Sequence, residues 1–308
     1  MIHIDPANIQ LSISPTSATH FVLSSNRKSS QRLVNSYITN FEMERTDNLL
    51  SLSAARKVRK SINWLVHTSK EKQLYQKDLK RHIKFRLSFI TLTLCSKQVH
   101  SDVQIKDQCL NVFLQWLRDS YKVTKYIWKA EIQKNGNIHF HITMDKYIHY
   151  AKVQKAWNRC LEKLGYVSRF ENEHGHRNPH STEIKSVKNA KNLASYLAAY
   201  LSGSKDSKNK KGGIEYNSRV IEGRLFGISS YLGQIKNIRI CADELDFERA
   251  LRVLRNYSEK AIYGDYSSTY IYSSEMGKSF VYWLYKRGYT SIFEPTNLTP
   301  QDLRAWLL

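Results

Sequence analysis

Tyr126-Ile-Trp-Lys-Ala-Glu-Ile132 and Ile138-His-Phe-His-Ile-Thr-Met144, joined by Gln133-Lys-Asn-Gly-Asn137, decide how this chain is read. Both runs are rich in β-formers, and Asn-Gly between two such runs predicts a β-hairpin. Side chains alternate along a strand, so His139 and His141 share one face while Phe140 points to the opposite, buried face. Two imidazoles so placed can hold one divalent cation. Glu131 lies on the partner strand, and pairing across the turn would bring its carboxylate to the same cation as a third ligand. Mixed imidazole and carboxylate ligation with open positions suits Mg²⁺ or Mn²⁺, with manganese tolerating the histidines better. The open positions would take phosphate oxygens. The competing reading makes Glu131 an ordinary exposed strand residue.

Outward from the hairpin, Phe89-Ile-Thr-Leu-Thr-Leu94 reads as a strand and Leu110 to Leu117 as a helix. Val153 to Leu164 reads as a helix stopped by Gly165, His180 to Val187 as a strand, and Asn189 to Ser202 as a helix closed by Gly203. The order strand, helix, hairpin, helix, strand, helix predicts an α+β domain over 85–235, with a central antiparallel β-sheet flanked by helices. Residues 1–84 read as a basic, largely helical extension, with Ala54 to Phe85 helix-compatible. Residues 236–308 read as an α-rich, tyrosine-rich segment, with a helix from Asp246 to Tyr257.

The charge balance narrows the partners. Against 27 acidic residues stand 48 Lys and Arg, a formal charge of +21 over 308 residues. Such a field attracts polyanions, and plain solubility does not require so large an excess. Nucleic acid is favoured over membrane, because no apolar run approaches the roughly 20 residues that span a bilayer. The start, MIHIDPANIQ, lacks the features of a secretory signal. Cys95, Cys109, Cys160 and Cys241 form no CxxC pair, so neither a zinc site nor a disulfide framework is predicted, and a cytoplasmic setting fits.

Alone, a His-x-His triplet is weak: 11 histidines in this length give about 0.4 by chance. A second one, His174-Gly175-His176, lies in a polar stretch and reads as solvated loop. A second constellation adds weight. Tyr196-Leu-Ala-Ala-Tyr200 places two phenols one turn apart at the edge of an apolar helical stripe. Packing would explain two of 19 tyrosines. A phenol is a poor nucleophile at its ordinary pKa of about 10, but becomes competent beside a metal that polarises a phosphate.

In this order, Phe89–Leu94, His139-Phe-His141 and Tyr196-Leu-Ala-Ala-Tyr200 resemble the three motifs of the HUH rolling-circle replication initiators, the Rep endonucleases. Gly223-Arg-Leu-Phe-Gly-Ile-Ser229 is similar to a Gly-Arg-aromatic-Gly-x-Ser stretch of phage and plasmid members. The paired tyrosines look like the two-tyrosine type of small single-stranded DNA phages. The resemblance implies a ferredoxin- or RRM-like palm, with His139, His141 and Glu131 as metal ligands. It implies attack by Tyr196 or Tyr200 on single-stranded DNA at an origin, leaving a 5′-phosphotyrosine and a free 3′-hydroxyl. The second tyrosine would make the terminating cut.

It departs from the family where a lysine often follows the tyrosine by three residues; here those positions are Ala199 and Gly203. Candidate DNA contacts are Lys185, Lys188, Lys191, Lys205 and Arg224. Arg56, Lys57, Arg59 and Lys60 are either phosphate contacts or a solvated helix face. Tyr263, Tyr266, Tyr270 and Tyr272 read as a small core rather than a base-stacking platform. Gly277-Lys-Ser279 lacks the upstream glycine of a P-loop, so a host helicase, with a host polymerase, is the expected partner. An HUH transposase, or a DNA-binding protein that has lost cleavage, are the alternatives.

Overall fold

The computed structural model describes residues 9–14, 16–22, 48, 50–69, 71–76, 80–187, 219–235, 238–241, 247–264, 267–273, 276–277 and 279–280. The chain divides into two compact units, one spanning Arg45–Gly233 and one combining Met1–Glu44 with Gln234–Leu308.

The second unit is built on a five-stranded antiparallel sheet. Strands β1 (Ile9–Ile13) and β2 (Ser17–Val22) from the start of the chain pair with strands from its end, β10 (Ile238–Cys241), β11 (Lys260–Gly264) and β12 (Ser267–Ile271), in the order β10-β1-β2-β12-β11. The helix expected near Asp246 is present as Phe247–Tyr257, with Phe247, Ala250, Leu251 and Leu254 buried. Strands rather than helices thus dominate the described parts of both flanks. Pairing partners more than two hundred residues apart leave no local periodic signal. Of the tyrosines read as core, Tyr270 and Tyr272 are buried while Tyr263 is exposed; Tyr266 lies outside the described residues.

The first unit begins with α1 (Leu52–Thr68), capped by the Ser51 hydroxyl, which accepts from the Ala54 amide. Val58, Ile62, Leu65 and Val66 are buried, whereas Arg56, Lys57, Arg59 and Lys60 are exposed. The helix-compatible reading to Phe85 is corrected here. Beyond Ser69 the chain forms a hairpin of β3 (Lys72–Gln76) and β4 (Arg81–Phe85). Abundant Lys and Arg are compatible with either state, so strand pairing rather than composition decided this segment.

Next come β5 (Leu87–Thr93) and a continuous helical stretch: α2 (Asp102–Ile105), a π-helical turn (Lys106–Leu110) and α3 (Asn111–Tyr121). The hairpin β6 (Tyr126–Ile132) and β7 (Ile138–Met144) follows, with the bounds read from sequence. Helices α4 (Tyr150–Glu162) and α5 (Tyr166–His174) precede β8 (Thr182–Val187). A short β9 (Phe226–Ile228), unforeseen, and α6 (Ser230–Gln234) complete the described elements. The sheet is antiparallel throughout, in the order β8-β5-β7-β6-β9, as the α+β reading expects.

Alternation sorts the two faces. Ile90, Leu92, Trp128, Ala130, Phe140, Ile142 and Met144 point into a core closed by Leu110, Phe113, Leu117, Trp157 and Leu161 from the helices. Burying each large apolar side chain contributes about 1.5–3 kcal/mol. The Trp157 indole also donates to the Thr93 carbonyl at 2.8 Å, tying α4 to β5. With the core claiming one face, the polar residues between these positions are forced onto the other.

Candidate metal centre

Cross-strand register brings the site together. Glu131 pairs directly with His139, and Lys129 pairs with His141. On the other side of β7, Thr93 faces His139 and Thr91 faces His141. Six polar side chains from three strands therefore share the face opposite the core.

The Glu131 Oε2 atom lies 3.4 Å from His139 Nε2 and 3.3 Å from His141 Nε2. The two imidazole nitrogens are 3.0 Å apart. Neighbouring ligands about 2.1 Å from one ion at right angles lie about 3 Å apart, so this triangle has the dimensions of one face of a coordination sphere. Three electron-rich atoms this close repel unless a proton or cation sits among them. Among the described residues this is the grouping of His, Cys, Asp and Glu able to hold a metal. His174 and His176, by contrast, are exposed, with His174 ending α5 rather than lying in a loop. The donor set fits Mn²⁺ or Mg²⁺. A bound ion there would supply Lewis-acid polarisation of a phosphate oxygen.

Surrounding groups prepare the ligands. Thr91 Oγ1 is 3.1 Å from His141 Nδ1, a contact that holds the ring so that Nε2 faces Glu131. Phe89 stacks on the same imidazole, centroids 5.1 Å apart. Burial pulls the His141 pKa below its ordinary 6.5, and Lys129 and His139 add to this while Glu131 opposes it. Burial alone would raise Glu131, but the two imidazoles and the Lys129 ammonium hold its carboxyl far below the usual carboxylate range. Both shifts favour the ligating forms, a neutral imidazole and an ionised carboxylate. The His139 Nδ1 atom is buried without a hydrogen-bond partner.

The turn is braced from a distance. Gly136 adopts φ +82°, a conformation that suits glycine, as the Asn-Gly signal required. Gln98 accepts from the Ile138 amide at 2.7 Å, and Asn137 accepts from the Gln98 amide at 2.9 Å. Asp102, buried at the start of α2, receives both Arg219 guanidinium nitrogens at 2.5 and 2.7 Å. Arg219 also donates to Gln98 Oε1 at 3.0 Å, joining the two sets. An open groove of about 470 Å³ runs beside the turn, lined by Ile132, Gln133, Lys134, Asn135 and His139.

Residues 87–205 match the family model for replication-associated proteins of the ORF2 and gene-2-protein type.

That span contains β5, the metal hairpin and β8, and it supports a Rep-like replication initiator. The searches of curated proteins and of solved structures return no match. Tyr196 and Tyr200 fall inside the matched span but outside the described residues, as do Lys188, Lys191 and Lys205. Lys185 is exposed on β8, paired with Glu183 at 2.9 Å, and its register opposite Phe89 places it on the metal face. Arg224 is exposed beside β9.

The Gly223–Ser229 stretch has a structural account. Gly227 pairs with Trp128 across the β6–β9 ladder, and a Cβ there would lie 2.2 Å from the indole nitrogen. Ser229 and Tyr126 exchange hydrogen bonds at the next turn of the ladder. Two residues near the ligands escaped the sequence reading, Lys129 and Thr91. Alternation could have found Lys129, because it lies two residues before Glu131 and so on the same face.

No helix among the described residues is long and apolar enough to cross a membrane.

Proposed function

We propose that this protein is a metal-dependent nickase and strand transferase of single-stranded DNA that initiates rolling-circle replication. The observation that carries the reading is the triangle of Glu131, His139 and His141 atoms on the open face of the sheet, inside the span matched to replication-associated proteins. The formal charge of +21 supplies the attraction for a DNA strand.

In this reading Tyr196 or Tyr200 is the nucleophile. The phenol loses its proton, its oxygen bonds to phosphorus, and the bond from phosphorus to the 3′ oxygen breaks. The released 3′ oxygen takes up a proton and becomes the primer end for a host polymerase. The energy of the broken bond is kept in the 5′-phosphotyrosine, so the second tyrosine can rejoin ends without ATP. The ligands Glu131, His139 and His141 would hold Mn²⁺ or Mg²⁺. Lys185, Lys188, Lys191, Lys205 and Arg224 would contact the strand, and unwinding would fall to a host helicase.

The test is incubation with single-stranded circular DNA and Mn²⁺, read on a denaturing gel that retains covalent adducts. Tyr196→Phe, Tyr200→Phe and His141→Ala run beside the parent. An adduct lost with His141→Ala and with one tyrosine variant supports the proposal and names the leading nucleophile. Tight DNA binding with no adduct on any origin-derived strand would instead indicate a DNA-binding protein without cleavage.

A further inference from the structure

A lysine beside a trio of atoms that gathers a cation works against that cation. Lys129 pairs with His141 across the β6–β7 ladder, and its position two residues from Glu131 puts all four side chains on one face. Its side chain is only 10% exposed, and its Nζ lies 2.7 Å from Glu131 Oε1. The carboxylate is thereby divided. Oε2 turns to the two imidazoles, and Oε1 turns to the ammonium.

With neutral imidazoles, the ammonium and the carboxylate cancel. A divalent ion then leaves the group with a double positive charge, in a partly enclosed place where water screens poorly. A phosphodiester brings back one negative charge. We infer that Lys129 makes metal binding and phosphodiester binding depend on each other, weakening the hold of the triad on its ion until a DNA phosphate arrives. This rests on the reading that the site takes single-stranded DNA, and adds to it the control of when the ion is held. Coupling of this kind is reciprocal, so the ion strengthens DNA binding by the same factor.

The rival role for Lys129 is support, keeping Glu131 aimed at the ion. The two roles predict opposite signs. Removing a supporting partner weakens metal affinity about 10- to 100-fold. Removing a repelling charge a few ångströms away strengthens it, by about tenfold or more at the effective dielectric of a partly buried pair.

Calorimetric titration of Mn²⁺ into the full chain decides between them, with and without an oligothymidylate of about 16 nucleotides. Lys129→Met is expected to bind Mn²⁺ about tenfold more tightly than the parent without DNA. The oligonucleotide is expected to tighten Mn²⁺ binding in the parent and in Lys129→Arg, which keeps the charge, but little in Lys129→Met. Equal or weaker Mn²⁺ binding by folded Lys129→Met overturns the inference. So does a parent protein whose Mn²⁺ affinity ignores the oligonucleotide, which holds even if Lys129→Met fails to fold. Intact coupling without a covalent adduct overturns the proposed nicking alone and leaves this inference standing.

Discussion

Glu131 and His139 stand directly opposite each other on β6 and β7, with carboxylate oxygen and imidazole nitrogen 3.4 Å apart. Directly opposed residues have the closest side chains in an antiparallel ladder. The hairpin therefore sets this ligand pair by its register, and a slip of one residue would send both histidines into the core. Consequences of this arrangement can be measured.

Thr91→Val removes the hydroxyl that meets His141 Nδ1 while keeping the volume and the β-branch. Mn²⁺ affinity should fall about 10- to 100-fold, with the melting temperature of the metal-free protein little changed. Unaltered affinity in a calorimetric titration would show that Phe89 stacking alone orients the ring.

Metal binding should persist into mild acid. Burial lowers the His141 pKa, so this ring stays neutral at pH values where a solvated histidine is already protonated. Glu131 is held ionised well below that range. The pH at which Mn²⁺ affinity is half lost should lie below the ordinary histidine value of 6.5. A midpoint above that value would contradict the burial described for the site.

Asp102→Asn tests the brace behind the turn. Burial would raise the Asp102 pKa, but hydrogen bonds from Arg219, Gln98 and the Glu222 amide outweigh it and leave the pKa depressed. A carboxylate with a depressed folded value stabilises the fold above its unfolded pKa of about 3.9, and the benefit is lost as pH falls through the folded value. Discounting for the partial exposure of Arg219, the variant should lose about 2 kcal/mol at neutral pH by denaturant unfolding. Parent and variant should converge in strong acid; a constant gap at all pH values would assign the effect to packing.

Gly227→Ala should destabilise the protein by about 1–3 kcal/mol, because the added carbon meets the Trp128 indole at 2.2 Å. Trp128 belongs to the core cluster, so the ring has little room to retreat. A melting temperature equal to that of the parent would mean that the indole moves aside.

Much of the site was legible because it is local. Glu131, the Asn-Gly turn and His139-Phe-His141 lie within a few residues of one another, and period-two alternation is enough to place three ligands on one face. The same reasoning recovered β6, β7 and the helix ending at Tyr257 almost to the residue. It failed on the β3–β4 hairpin, where scattered charge masks the period. It also missed β9, a three-residue edge strand that forms only because Trp128 and Ala130 offer it partners.

From its residues alone, then, this chain declares a basic protein with an antiparallel hairpin carrying two histidines and a glutamate on one face. Those properties follow from side-chain charge and strand geometry, which act over a few residues. Folding decided the rest. It set the neighbours of the ligands, Thr91 against His141 and Lys129 against Glu131, and it closed the Arg219–Asp102 brace across more than a hundred residues. It also paired the first strands of the chain with strands near its end. Such contacts depend on register and on packing between distant segments, and no stretch of sequence records its partner.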